Sequence, residues 1–158
     1  MLAISAGAYD SLKFIHVLAA VAWVGGGIML QVLGWRIQRA NDPRRMGEFA
    51  KDIAFVGLRF IMPMSIILIL AAIGLIWWGP YGLSDTWVKL AVLGYLITLA
   101  TGAGYIGPTS GKIGKLLETM PADDPAVAGP LNRLILVARL DIVVLMLLVA
   151  DMVFKPGS

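Results

Sequence analysis

The sequence predicts an all-α integral membrane protein built as a four-helix up-and-down bundle. Two observations carry that prediction. Hydrophobic residues make up 59% of the 158, with a mean hydropathy of +0.84, more apolar surface than a soluble domain of this size can cover with polar residues. The apolar residues also gather into four stretches, at about 11–33, 53–78, 87–106 and 134–154. Each has the ~20 residues that a helix needs to cross ~30 Å of hydrocarbon. A helix satisfies its own backbone, as lipid demands, and short connections favour antiparallel neighbours. The whole chain, 1–158, reads as a single transmembrane domain.

The first stretch continues as a helix through Gly34-Trp35-Arg36-Ile37-Gln38-Arg39 until Asn41-Asp42-Pro43 stops it. Asp42 suits an N-cap and Pro43 a first helical position, so the second helix starts well before its apolar part. Pro63 lies within that part and predicts a kink. Trp77, Trp78 and Trp87 flank the second connection as an aromatic belt. Ser84 or Asp85 is placed to cap the third helix. Gly94, Thr98 and Gly102 recur every four residues along it, the stripe of small residues that lets helices approach closely. Tyr105-Ile106-Gly107-Pro108 reads as the end of that span, with a short interfacial helix over 109–120. Pro121 to Pro125 and Gly129-Pro130 read as linker before the last helix.

Charge sets an expected orientation. Arg36, Arg39, Arg44, Arg45 and Lys51 sit in the first connection, and Lys112, Lys115 and Arg133 in the third. The other side carries only Lys13, Lys89 and Lys155. The positive-inside rule then puts both termini outside the cytoplasm in the cell inner membrane. The first residues lack a positive n-region, so no cleaved signal peptide is expected. The absence of cysteine excludes disulfides, thiolate metal sites and iron–sulfur clusters. No basic stripe interleaved with aromatics points to nucleic acid.

Ionisable residues within a span are functional candidates by default. Two levels emerge. His16, the lone histidine, lies toward the outer end of the first span with Lys89 and Asp151 at similar depth. Trp23 is about two turns from His16 on the same face, and Gly25, Gly26 and Gly27 follow. Arg59, Arg139 and Asp141 form the inner level. There a structural ion pair of Arg59 with Asp141 is expected, while Arg139 reaches to headgroups. The outer group makes a site able to bind an ion, a proton or a cofactor. It falls short of a closed zinc set; for a b-type haem, His16 gives one axial ligand and a neutral Lys89 or a methionine the second.

The run His16, Trp23, Gly26 resembles the first-helix pattern of the copper-resistance-D-like superfamily of small bacterial membrane proteins. Trp87-Val88-Lys89-Leu90 is similar to the tryptophan–lysine start of a later helix in that superfamily. Within it the chain looks most like an uncharacterised four-span integral membrane family, a domain of unknown function. It is also distantly similar to the HemJ-type protoporphyrinogen oxidase. The resemblance implies haem b with iron on His16, Lys89 as second ligand or site residue, and Trp23 and Gly26 lining the slot. A haem-associated redox protein is thus one expectation, with a quinone or a respiratory membrane protein as partner. A proton- or metal-ion-handling carrier and a non-catalytic accessory subunit are the alternatives. A homo-oligomer fits any of them.

Overall fold

The computed structural model describes residues 5–40 and 42–157, with the side chain of Pro43 excluded. Expectations that fall on residues 1–4, Asn41 and Ser158 lie outside the described residues. Among the described residues six α-helices follow one another: α1 (Ala6–Ala40), α2 (Pro43–Val56), α3 (Met62–Trp78), α4 (Thr86–Thr101), α5 (Gly107–Leu116) and α6 (Pro125–Phe154). A π turn, Gly57–Ile61, joins α2 to α3, and another, Gly102–Ile106, joins α4 to α5. The chain therefore forms four long rods, each adjacent to its neighbours in sequence and the last packed back on the first.

Three of these rods, Ala6–Ala40, Arg44–Trp78 and Thr86–Leu116, are long and apolar enough to cross a membrane. The fourth, α6, spans 30 residues but carries Arg133, Arg139, Asp141 and Asp151. The connections fall where side-chain chemistry ends helices. Asp42 caps α2, its Oδ1 accepting from the Arg44 and Arg45 amides at 3.0 and 3.4 Å. Asp124 caps α6 by accepting from the Ala126 amide at 2.8 Å. The last helix thus begins at Pro125, and Gly129-Pro130 lies inside its first turns rather than in a linker. Asp85 occupies the N-cap position of α4, yet its carboxylate accepts from the Gly82 amide at 2.8 Å instead.

The third rod corrects a sequence expectation. It does not end at Pro108 but continues to Leu116, absorbing the proline through a π turn. The kink expected at Pro63 is resolved in the same way. In each case the amide one residue before the proline reaches back five residues: Met62 N–H to Gly57 O, and Gly107 N–H to Gly102 O. A proline ring collides with the carbonyl four residues earlier in an α-helix, and the wider turn gives it room. The two segments share a pattern, Gly57-Leu58-Arg59-Phe60-Ile61-Met62-Pro63 and Gly102-Ala103-Gly104-Tyr105-Ile106-Gly107-Pro108.

Two cores hold the rods together. One lies toward the chain termini and gathers Ala19, Trp23, Leu68, Tyr95 and Leu145. The other lies at the basic end and gathers Ala50, Ile113, Val127 and Leu134. Glycines set the approach distances. A Cβ on Gly74 would meet Leu12 at 3.1 Å, one on Gly27 would meet Ile142 at 2.9 Å, and Leu148 fills the space over Gly94. At the basic end α2 and α5 cross at Gly47 and Gly114, where a Cβ on Gly114 would sit 3.4 Å from the Gly47 carbonyl. Lys51 donates to Glu118 beside this crossing.

Two stability tests follow from this packing. Gly94→Ala must displace Leu148 and is expected to cost about 1–3 kcal/mol, read as a lower melting temperature in detergent. Gly102→Ala meets no atom within 4 Å and should be neutral or slightly stabilising, since glycine in a helix costs about 0.5–1 kcal/mol relative to alanine.

The Lys51–Glu118 pair predicts a pH effect. Lys51's hydrogen bond and charge, with Lys115 adding, hold the Glu118 carboxyl below the usual carboxylate range. The pair's contribution is therefore complete above the ordinary glutamate value and lost as pH falls through the lowered one. Both side chains are half exposed (50% and 56%), so the effect is small. Lys51→Met should remove that part of the acid dependence of the melting temperature.

Candidate functional site

His16 packs toward α3. Its Nδ1–H donates to the Leu68 carbonyl at 3.1 Å. A carbonyl only accepts, so in the neutral ring the proton sits on Nδ1 and Nε2 keeps its lone pair. Trp23, two turns along, is buried and meets Tyr95 edge-on, with ring centroids 5.7 Å apart and planes at 76°. Tyr95 donates its hydroxyl to the Ser65 carbonyl at 3.2 Å. This contact ties α4 to α3 at the centre of the bundle.

The other residues singled out from sequence are placed differently. Lys89 is exposed beside the buried face of α4, formed by Val88, Ala91 and Tyr95. Among the described residues no hydrogen bond or ion pair joins it to His16. Gly26 offers no slot, because a Cβ there would meet Ile61 at 2.9 Å and Phe60 at 3.4 Å. Gly27 is likewise filled, by Ile142, whereas a Cβ on Gly25 would meet nothing within 4 Å.

The Arg59–Asp141 pair does not form. Among the described residues the four ion pairs are all elsewhere, three of them within a helix end and the fourth between Lys51 and Glu118. Arg59 lies in the first π turn, whose extra residue changes the helix phase, and it is exposed. Asp141 is left with Oδ1 buried and without a hydrogen-bond partner. Both carboxylate oxygens of Asp151 are likewise buried without one. Among the described residues no three His, Cys, Asp or Glu side chains come together as a metal-binding group.

A cavity of about 480 Å³ opens between the two cores. All four rods contribute to its wall, which is mostly apolar, from Trp23 and Leu145 at one end to Ala50 and Leu131 at the other. Gly57 and Gly102, the first residues of the two π turns, line it with nothing within 4 Å of the position of a Cβ. Of its polar residues, Ser65 and Thr98 spend their hydroxyls on carbonyls of their own helices, Met62 at 2.9 Å and Tyr95 at 3.0 Å. Asp141 also lines it.

The family model for predicted integral membrane proteins, DUF2269, matches residues 10–156. The chain belongs to that family. This DUF2269 member is therefore a multi-pass integral membrane protein. No curated protein and no solved structure matches it significantly.

Sequence reasoning missed the cavity of this DUF2269 protein, and its signal was present. The repeated Gly-x-x-aromatic-Ile-x-Pro pattern marks two wide turns, and π turns are frequent at functional sites. Sequence reasoning also missed the cluster at the terminal end. There Lys155 Nζ donates to the Tyr81 hydroxyl at 3.1 Å, and Tyr81 meets Trp87 edge-on at 5.1 Å. Trp87 is thereby part of a packed cluster, whereas Trp77 is exposed as an aromatic belt requires.

The separation of Arg59 from Asp141 has a direct check. Asp141→Asn and Arg59→Gln should be additive within about 0.5 kcal/mol in thermal melts, as for sites that do not interact. A double mutant markedly milder than the sum would restore the pair.

Proposed function

We propose that the chain is a single four-span domain of the cytoplasmic membrane, with both termini outside the cytoplasm, that carries haem b on His16. Four spans are supported by the apolar exterior of α6, where Leu140, Val143, Leu147 and Val153 are all exposed. Lipid is the solvent that tolerates such a face. The charged residues of α6 fit this reading, with Arg133 near its start and Arg139 exposed, free to extend along the helix toward headgroups. The orientation rests on the eight basic residues at the α2–α5 end against three at the other.

The observation that carries the haem reading is the His16–Leu68 bond. Metal-ligating histidines commonly donate the second ring N–H to a carbonyl, which fixes the ring and leaves the other nitrogen for the metal. His16 has that arrangement. It is the only imidazole in the chain, so no second histidine of this chain would share the iron. Less supports Gly26 and Lys89 in that role: a Cβ on the first would meet Ile61 and Phe60, and the second is exposed. Bound there, haem would supply one-electron chemistry, and the chain's part is to fix the His16 tautomer and to exclude water with the surrounding apolar helices. The likeness to HemJ-type proteins points the same way. A second reading, an ion- or proton-handling carrier, is favoured by Asp151 alone, whose carboxylate is buried without a hydrogen-bond partner.

Protein made in haem-replete cells should show a Soret band that His16→Ala abolishes and Lys89→Met leaves unshifted. Colourless protein that takes up no haem on reconstitution would end the haem reading, and proton flux in liposomes lost in Asp151→Asn would support the second.

Orientation is tested separately. A single cysteine at Ser84 should react with an impermeant thiol reagent on intact cells, and one at Arg44 should not. Reversed labelling would overturn the topology.

A further inference from the structure

We propose that the cavity between the two cores binds a lipid-soluble hydroxyl compound, its apolar body lying along the bundle and its O–H donated to Asp141. The shape comes first. The wall along α6 runs from Leu131 to Leu145, a rise of about 20 Å at ~1.5 Å per residue. About 480 Å³ over that length is a slot, suited to one elongated molecule, and its volume lies in the range of small-molecule sites.

The chemistry of the wall limits the occupant. The lining is apolar in the main, and the slot lies in the segments that cross the bilayer, so the occupant arrives from lipid. Ser65 and Thr98 already donate to backbone carbonyls. Gln31, Gln38 and Arg139 also line the slot, but among the described lining residues only Asp141 has a side-chain oxygen, Oδ1, that is buried and without a partner. A buried carboxylate oxygen without a donor is costly, and a ligand hydroxyl removes that cost. An apolar molecule without a donor leaves it in place. Open space over Gly57 and Gly102, the two wide turns that face the slot, is where the body of the ligand fits.

Two sources share this chemistry, a long-chain or isoprenoid alcohol and a ring-headed hydroquinone. Their common requirement is one O–H at the level of Asp141.

The test uses the full chain in lipid nanodiscs, with saturable rise of the melting temperature as readout. The probes are dodecanol, decylhydroquinone and the methyl ethers of both. The expected result is saturable binding of at least one hydroxyl compound, with its methyl ether about tenfold weaker. The tighter of the two hydroxyl compounds names the source. Asp141→Leu should erase the difference between hydroxyl and ether. Gly102→Leu, which puts a side chain into the slot from the second π turn, should abolish binding of all four while the protein still melts cooperatively. If Asp141→Leu fails to fold, the hydroxyl-to-ether ratio in the wild type and the Gly102→Leu result decide the matter. Equal binding of hydroxyl and ether, unchanged binding in Gly102→Leu, or no saturable shift with any probe would overturn the proposal. Because haem loading is read by absorbance and this binding by melting, failure of one leaves the other standing.

Discussion

Pro63 and Pro108 each remove a backbone donor from a rod that lies in a solvent without hydrogen-bonding groups. Much of the architecture is a response to that constraint. An α-helix would push each ring into the carbonyl four residues earlier. The chain widens by one residue at both places, so that Met62 and Gly107 bond five residues back. The rods stay continuous, 35 and 31 residues long, and cross without a break. The widened turns sit at the level where the two cores separate. The slot between Trp23 and Ala50 is the volume that neither core fills.

The cores themselves depend on small residues placed where rods must approach. Gly74 admits Leu12, Gly27 admits Ile142 and Gly94 admits Leu148. In lipid there is little hydrophobic drive to bring helices together, so close packing and a few hydrogen bonds must do it. The Tyr95 hydroxyl on the Ser65 carbonyl and the His16 ring on the Leu68 carbonyl are two such bonds. Each joins a side chain of one rod to the backbone of another. They leave polar groups such as the Asp141 oxygen with little competition for an incoming ligand.

Sequence made the helical class, three apolar spans and the Asp42 cap legible, because hydropathy and capping act locally. It also placed His16 and Trp23 on one face, which the Leu68 and Tyr95 contacts use. What it did not reveal was azimuth. Lys89 lies one residue from the buried Val88, and that rotation of about 100° leaves it exposed. Arg59 was paired with Asp141 by depth, while the π turn that holds it resets the phase of its rod. Pro108 read as a stop because proline ends helices in water. In lipid a frayed end has no water to bond, so continuing through a wider turn is the cheaper course.

The π turns also bear on which changes of length the chain tolerates. Each contains one residue more than an α-helix needs between its flanks. Deleting a residue within Gly57–Ile61 would return that stretch to α geometry with both flanking faces still in phase, leaving Pro63 to bend the rod instead. The same deletion anywhere else in these rods would turn one core about 100° away from its partners. Single-residue length variation is therefore permitted at two places along the membrane-crossing rods, and both border the slot.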